Sequence, residues 1–427
     1  MLCSFAHVLK EDYFPFVADT MEVMELLMTF YNDKVRSYAI SCMPEILQSA
    51  VSAMEVKRID LPMVQEVFSR ILTRLLACFT SEFKTGHVVI LVGALHHCLD
   101  IVGELARECL DQKALQTVGS SLLVLLTESH KKIHKREERA KRPDFDEEAY
   151  DRMLKDNEEE DELHSRVADC LGSLIKTHGE AFLPTLSVLF PEIVRMLEPG
   201  MTVGVKMVAV YVLDDMIEAL GQQAQAFFPH FVPLLIEYCS DFSETNAELR
   251  QACAYGLALL ATYGEGSFNV YVEPTLKVLL TGLGQSDARS EDNLYATDNM
   301  AVALGCLAQF HNHAELWPTW LQQLPLGADT NEGPRTYTLL CDLMEATNPF
   351  LLGESMENLP KIVSVMLAVV DEEEWLGSDE QLLRRIFHLL HQMHNLPGDT
   401  PQALLAALSQ PDAQKFQNII ANSPGIT

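Results

Sequence analysis

The stretch from 182 to 307 decides the fold, because three copies of one unit follow each other there. Each copy begins with an apolar segment that carries a proline: Phe182-Leu-Pro184, Phe228-Pro229 and Val272-Glu-Pro274. Two later segments, Trp317-Pro318 and Leu359-Pro360, continue the series, and the intervals between the five prolines are 45, 45, 44 and 42 residues. A polar turn and a second apolar segment with helical spacing follow the first three prolines. The repeated unit is therefore a pair of helices.

This period lies in the range of about 40 to 47 residues that is typical of HEAT and armadillo helix pairs. The sequence therefore predicts an all-α fold, a right-handed superhelical α-solenoid of HEAT-type, armadillo-like helix pairs. We expect about eight to nine pairs in a single solenoid over residues 1–427, with a C-terminal cap and tail over 400–427. Pro184, Pro229 and Pro274 are expected in the first turns of their helices, where the missing N–H costs nothing.

The N-terminal segment from Ser4 to Leu9 resembles the end of a helix whose partner is missing. Terminal repeats of a solenoid usually present a polar outer face, and this segment has none. We therefore expect the chain to be the C-terminal part of a longer array.

The charge balance restricts the possible partners. The chain has 31 Lys and Arg against 61 Asp and Glu, a formal net charge of −30. This charge repels nucleic acid and anionic membrane surfaces and favours basic proteins, although acidity that serves only solubility stays a plain alternative. The ten cysteines form no Cys-x-x-Cys motif, which indicates a reducing compartment without a disulfide framework. No signal peptide and no run of about 18 apolar residues is visible, so we expect no membrane insertion.

The third helix pair carries an acidic insertion over residues 143–162. A basic stretch, Lys131 to Arg136, precedes it, and Pro143 is expected to end that helix. Its carboxylates are Asp144, Asp146, Glu147, Glu148, Asp151, Asp156, Glu158, Glu159, Glu160, Asp161 and Glu162. We expect the next helix to begin only at Leu163. Two interpretations stay open: a loop that binds a basic partner, with the basic helix neutralising it when no partner is bound, or a disordered, solvated linker.

Histidines are the only other candidates for chemistry. His96 and His97 are adjacent and point about 100° apart, so packing or solvent exposure is favoured over metal binding. His388, His391 and His394 recur at every third residue, but the segment offers no oxygen or sulfur ligand to complete a zinc site. Phosphate-binding glycine loops, nucleophile elbows and zinc-protease motifs are absent from the sequence. We expect neither enzymatic activity nor a cofactor.

Five motifs resemble, in the same order, the β-karyopherins of the importin-β superfamily. They are Val212-Leu-Asp-Asp-Met-Ile-Glu218, Arg250-Gln-Ala-Cys-Ala-Tyr-Gly-Leu257, Asn293-Leu-Tyr-Ala-Thr-Asp-Asn299, Leu340-Cys-Asp-Leu-Met-Glu345 and Asn358-Leu-Pro-Lys-Ile362. The resemblance is to the C-terminal portion of the importin-five-like branch and covers nearly the whole chain, the acidic insertion included.

This resemblance implies a nuclear import receptor that shuttles between cytoplasm and nucleus. Such a receptor binds basic protein cargo, crosses the pore on Phe-Gly nucleoporins and releases cargo on binding Ran-GTP, with a change of superhelical pitch as the physical mechanism. The family comparison also suggests Ran-GTP contact for residues 144–162. Family members are much longer, and this chain has no counterpart of their N-terminal arch. We therefore expect it to bind Ran more weakly. We also expect the chain to be a monomer. The alternative from another functional class is a static HEAT scaffold of a phosphatase or chromosome complex.

Overall fold

The computed structural model describes residues 2–82, 84–377 and 379–422. Within these ranges every regular element is a helix, which confirms the all-α HEAT-type solenoid predicted from the proline period. The chain divides into two compact units, Met1–Gln223 and Ala224–Thr427.

The first unit consists of helix pairs arranged in two layers. Its α-helices are α1 (Leu2–Leu9), α2 (Val17–Leu27), α3 (Asp33–Glu55), α4 (Leu61–Phe79), α5 (Thr85–Val102), α6 (Ala106–Cys109), α7 (Gln112–Ala140), α8 (Glu147–His178), α9 (Leu183–Arg195) and α10 (Val203–Leu220). Helices α4, α7 and α9 pack side by side and form the first-helix layer. Helices α3, α5, α8 and α10 form the second-helix layer in the same way.

Local sequence explains where these helices begin and which side they bury. The side chain of Asn32 accepts hydrogen bonds from the backbone N–H groups of Lys34 and Val35 and so caps α3. Helix α4 begins with Leu61-Pro62, and it buries Val64, Phe68 and Leu75 along one face. Burial of one side chain of this size contributes about 1.5 to 3 kcal/mol relative to exposure, so the stripes hold neighbouring pairs together.

One segment, Thr85–Cys109, is long and apolar enough to cross a membrane by length and composition. Its main part, α5, packs between α3 and α8, and half of its apolar window is buried there. These contacts are those of a core helix in the second-helix layer.

The second unit repeats the same arrangement. Its α-helices are α11 (Phe228–Cys239), α12 (Ala247–Tyr263), α13 (Glu265–Leu283), α14 (Leu294–Phe310), α15 (Trp317–Gln322), α16 (Gly333–Glu345), α17 (Pro349–Leu352), α18 (Leu359–Val369), α19 (Glu373–Leu376), α20 (Glu380–His394), α21 (Thr400–Ala407) and α22 (Gln410–Asn422). Helix α11 packs on α13 in one layer, and α12 packs on α14 in the other. The predicted cap over 400–427 corresponds to α21 and α22, and its residues 423–427 lie outside the described residues.

The prediction of a first-turn position is correct for Pro184 and Pro229, two of the three prolines to which it applies, and Pro318 and Pro360 follow the same rule. Pro184, Pro229, Pro318 and Pro360 stand in the first turns of α9, α11, α15 and α18. It is wrong for Pro274, which is the tenth residue of α13 because that helix already begins at Glu265. Residues 265–273 contain no residue that stops a helix before the proline, so the helix extends on its N-terminal side.

The expected start of the next helix at Leu163 is also wrong. Helix α7 ends at Ala140, just before Pro143, but α8 begins at Glu147 and continues for 32 residues without interruption. Asp146 caps it, since its Oδ1 accepts from the N–H of Ala149 at 2.9 Å. The negative charges of Glu147 and Glu148 in the first turn interact favourably with the helix dipole and stabilise the helix start. Residues 147–162 therefore form the N-terminal half of α8, which pairs with α7 in a long helical hairpin. They are neither a loop nor a disordered linker.

Candidate partner-binding site

The charged end of the α7–α8 hairpin brings the predicted acidic and basic segments together. Helix α7 has 29 residues and α8 has 32, and the turn between them lies at 141–146. The added length thus belongs to both helices, and the acidic residues occupy fixed positions on α8.

Four carboxylates of α8 form one exposed row, which we call the acidic stripe: Glu147, Asp151, Glu158 and Glu162. They stand at i, i+4, i+11 and i+15, which places them on one helix face. The buried side of α8 lies opposite, with Leu163, Val167 and Leu171 in the core. The acidic stripe therefore points away from the first unit's core into solvent.

The remaining predicted carboxylates differ in their surroundings. Asp144 and Asp156 are exposed, and Glu159 is half-buried. Glu148 pairs with Arg152 one turn later at 2.8 Å. Asp161 accepts a hydrogen bond from Thr202 Oγ1 at 3.0 Å, and burial, together with the charges of Glu158 and Glu160, raises the pKa of its carboxyl. These residues widen the negative field around the acidic stripe without forming a second row.

Glu160 differs from the other ten carboxylates because it is completely buried. Its Oε1 accepts hydrogen bonds from Arg136 Nη2 at 2.9 Å and Thr85 Oγ1 at 3.0 Å, and it lies 3.4 Å from Lys132 Nζ. Arg136 also donates to Asn157 Oδ1 at 2.7 Å. Glu160 therefore joins α8 to α7 and to the start of α5, and it has no surface to offer a partner.

The basic stretch of α7 leaves the acidic stripe uncovered. Lys132 and Arg136 are directed at the buried Glu160, as described above. Lys131 pairs with Glu128 of its own helix at 2.8 Å, and Lys141 pairs with Glu138 at 2.6 Å. The expected neutralisation thus involves a single carboxylate. Within the acidic stripe, Glu162 lies 3.9 Å from Arg166 of its own helix, and Glu147, Asp151 and Glu158 keep their charge for a partner.

Apolar side chains line one edge of the acidic stripe. Tyr150 is 49% exposed and Leu154 is 44% exposed, and their i, i+4 spacing places them next to each other. Phe145 and Met153 are half-buried between the helices. A basic ligand with an apolar side chain can contact both the charges and this edge.

Side chains of α7, α8 and α9 form a buried polar cluster that was not predicted from the sequence. The rings of His130 and His164 are 5.1 Å apart between centroids. His130 Nδ1 is 2.7 Å from Glu192 Oε2, and His164 Nε2 is 3.0 Å from Ser129 Oγ. Burial and the neighbouring His130 lower the pKa of His164 to about 3. His164 is thus neutral at physiological pH, and only the three-dimensional packing of α7, α8 and α9 could have revealed the cluster.

Two surface grooves run between neighbours of the first-helix layer. The groove between α7 and α9 has a volume of about 250 Å³ and is lined by Leu123, Pro184, Val188 and Leu189 among others. The groove between α4 and α7 has a volume of about 420 Å³. Each groove exposes apolar groups beside small polar ones, which is a surface on which a single apolar side chain can be buried.

The histidines singled out in the sequence do not converge. His388 lies 2.8 Å from the side chain of Gln392, and His394 packs against the ring of Phe416. His96 Nε2 lies 3.2 Å from Asp100 Oδ2. Among the residues that the structure describes, no group of three or more His, Cys, Asp or Glu side chains is placed to hold a metal ion.

Comparison with known proteins gives the hairpin a family context. The family model described as Importin repeat 6 matches residues 87–199, a range that contains both α7 and α8. Importin subunit beta-3 of Saccharomyces cerevisiae is 22% identical over 384 residues, which are 87% of this chain and 33% of that protein. A probable importin-5 homolog of Dictyostelium discoideum is 22% identical over 90% of this chain and 36% of its own. These matches support the importin-β superfamily, and within it the importin-5-like branch.

Solved structures of importin-β-type receptors share this fold. Kap121p bound to Ste12p superposes with a TM-score of 0.70 at 18% identity, over 98% of this chain and 36% of the other. Kap121p bound to RanGTP gives a TM-score of 0.69 at 19% identity, with the same coverage. This importin-family chain spans about a third of the length of the relatives it matches.

Proposed function

We propose that this chain is a segment of a nuclear transport receptor that shuttles between cytoplasm and nucleus. In this proposal the acidic stripe of α8 binds a basic protein, either cargo or Ran-GTP. The grooves of the first-helix layer bind phenylalanine side chains of Phe-Gly nucleoporins.

The observation that carries the proposal is the uncovered row of Glu147, Asp151, Glu158 and Glu162 on a helix fixed by Glu160. A row fixed in advance does not have to be ordered when a ligand binds, which lowers the entropic cost of association. Each exposed ion pair contributes about 0.2 to 1 kcal/mol, so three or four pairs change affinity by about tenfold or more. Tyr150 and Leu154 add apolar contacts along one edge.

Relatives with the same fold support the choice of partners. Kap121p has been solved bound to RanGTP, to Nup53p and to Ste12p. The strong negative charge of this chain fits a basic partner in the same way, since opposite charges speed encounter and fix orientation.

The grooves fit the weak binding that passage through the nuclear pore requires. Val188 and Leu123 lie in the groove between α7 and α9, and Val188 is largely exposed. Burial of one phenylalanine ring contributes about 1.5 to 3 kcal/mol before ordering costs, which is weak enough for rapid exchange. Several such sites together give avidity.

Release of cargo follows from the repeat architecture. Within each unit the helix pairs contact their neighbours, so small changes at successive contacts add up along the repeats. Two ligands that prefer different spacings of the pairs oppose each other, and each shifts the equilibrium only by its differential affinity. In the proposed mechanism Ran-GTP and cargo are two such ligands.

Charge reversal on the acidic stripe tests the proposal. The variant carries Glu147→Lys, Asp151→Lys and Glu158→Lys and keeps Glu160, whose loss would disturb the hairpin itself. Its affinity for a fluorescent peptide of alternating lysine and serine, and for GTP-loaded Ran, is measured by anisotropy at low and physiological salt. We expect binding to weaken about tenfold or more, with a flatter salt dependence.

A matched control separates local from net charge. Glu273→Lys, Glu291→Lys and Asp292→Lys change the net charge equally at exposed positions of the second unit. This control is expected to bind almost as the unaltered chain does. Equal loss in both variants, or unchanged affinity in the stripe variant, would contradict the proposal.

A further inference from the structure

The outward face of α7 carries a row of positive charges that the proposed function does not use. We call Lys131, Lys135, Arg139 and Arg142 the basic stripe, and all four side chains are exposed. Lys131, Lys135 and Arg139 stand at i, i+4 and i+8, on the side of α7 opposite its buried residues Leu122, Leu126 and Ile133. Arg142 follows in the turn after α7. The hairpin therefore has a positive outward face on α7 and a negative outward face on α8.

Little within the chain neutralises the basic stripe. Lys131 pairs with Glu128, and Glu138, which lies beside the row, pairs with Lys141 instead. Among the described residues, Lys135 and Arg139 form no ion pair through their side chains. In a chain with a net charge of −30, a row of four cations in which Lys131 alone is described with an ion pair is a local exception that suits an anionic ligand.

The groove between α4 and α7 continues the same face of α7 towards its N-terminus. Lys113, Thr117 and Val124 line this groove and stand in the same angular range as the basic stripe. Val124 is 59% exposed, and Phe79 of α4 forms part of the groove wall. The surface thus combines a place for one apolar side chain with a row of cations that begins two turns further along α7.

The distance between the groove and the basic stripe limits which peptides can bind to both at once. At about 1.5 Å of helical rise per residue, the basic stripe begins about 10 Å from Val124 and reaches about 22 Å from it at Arg139, with Arg142 just beyond in the turn. An extended peptide advances about 3.3 Å per residue, so its carboxylates must stand about three to eight residues from the apolar side chain.

We propose that this face of α7 binds an acidic protein segment with one aliphatic side chain three to eight residues from a run of carboxylates. The aliphatic group enters the groove between α4 and α7, and the carboxylates pair with the basic stripe. A nucleic acid offers no aliphatic group, and a flat membrane cannot reach into a groove between two helices. Both also extend over the acidic surface around the stripe and are repelled by it, whereas a short peptide contacts the groove and the stripe alone, and charges beyond about 8 Å are screened at physiological salt. The site has the opposite charge to the acidic stripe and does not depend on the proposed transport function.

Binding of designed peptides to the full chain tests this inference. The probe is a labelled peptide of one leucine, one glycine, one serine and then six glutamates, which stand three to eight residues from the leucine, and its affinity is measured by fluorescence anisotropy. The triple variant Lys135→Glu, Arg139→Glu and Arg142→Glu is expected to bind at least tenfold more weakly. Val124→Asp, or replacement of the peptide leucine by glycine, is expected to weaken binding at least threefold.

The charge-reversed acidic-stripe variant serves as the control and is expected to bind the acidic peptide at least as well as the unaltered chain. Circular dichroism verifies that each variant keeps its helix content. Unchanged affinity in the triple variant would overturn the inference. It would also be overturned if the peptide without leucine bound equally well, or if single-stranded RNA or anionic vesicles displaced the peptide at lower concentration than an unlabelled copy of it.

Discussion

Replacing Glu160 by glutamine is expected to loosen the charged end of the α7–α8 hairpin without unfolding either unit. The side chain is fully buried. Its Oε1 accepts hydrogen bonds from Arg136 and Thr85 and forms an ion pair with Lys132. Glutamine has the same shape and keeps one acceptor oxygen, but it removes the negative charge. Its amide nitrogen would also occupy the position of Oε2, which has no hydrogen-bond partner, and so would leave N–H donors unpaired.

The expected size of the effect follows from the two cations. A hydrogen bond to a charged group contributes about 1.5 to 3 kcal/mol and a neutral one about 0.5 to 1.5, so each charged contact loses about 1 kcal/mol. The side chain of Lys132 is 42% exposed and that of Arg136 is 18% exposed, so water recovers part of the loss, chiefly at Lys132. We expect a net loss of about 1 to 2 kcal/mol in the free energy of opening the hairpin.

Hydrogen exchange measured by mass spectrometry reports this local free energy directly. A loss of 1 to 2 kcal/mol corresponds to exchange about 5 to 30 times faster in peptides covering residues 131–162. Glu158→Gln, an exposed position two residues away, is the matched control and is expected to change exchange less than twofold. Peptides from α14 in the second unit give an internal reference and should stay unchanged.

Equal exchange in the two variants would refute the assigned role of Glu160. Uniformly faster exchange in all peptides would also refute it, because the effect would then be global destabilisation.

Three further predictions concern the core. Because the pKa of His164 is lowered to about 3, only the unfolded chain takes up a proton there between about pH 6.5 and 3, so stability falls as the pH decreases through this window. His164→Leu should therefore lose about 2 kcal/mol less than the unaltered chain between pH 7 and 5 in urea unfolding, and an equal loss would contradict the assignment. Burial, with the charges of Asp215 and Glu218, raises the pKa of Asp214. The contribution of Asp214 to the free energy of unfolding therefore decreases as the pH rises above about 4. Asp214→Asn should raise the melting temperature at pH 7 and change it little at pH 4. Gly305→Ala would place a Cβ 2.7 Å from Nε1 of the buried Trp320 and should cost about 1 to 3 kcal/mol, whereas Gly266→Ala meets open space and should be neutral or stabilising by thermal melting.

Periodic local signals made most of the fold predictable from the sequence. Pro184 and Pro229 stand in the first turns of helices, as expected, and Pro318 and Pro360 do the same, because proline fits a first turn and disfavours the helix interior. The exception at Pro274 shows the limit of this rule. A proline does not say how far a helix extends on its N-terminal side, and there the structure adds nine residues before it.

The candidate site was predictable in position but not in form. A run of like charges favours a loop or a disordered segment when it is read alone, and both interpretations of residues 143–162 place this segment outside a helix. What makes the segment helical is partly distant in the sequence: Glu160 pairs with Thr85, 75 residues earlier, and with Arg136 across the hairpin. No local pattern could separate this one structural carboxylate from the acidic stripe around it. The same holds for His130 and His164, which only the hairpin brings together.

Retention of the chain on immobilised Phe-Gly repeats tests the central claim, that it is a segment of a transport receptor, most directly. The account predicts retention on Phe-Gly beads, loss on beads in which every phenylalanine is replaced by serine, and weaker retention of Val188→Asp. Val270→Asp is the matched control, because Val270 on the second unit is also largely exposed and lines neither of the two grooves described in the first unit. Failure of the unaltered chain to bind Phe-Gly beads, or equal retention on both kinds of beads, would contradict the account.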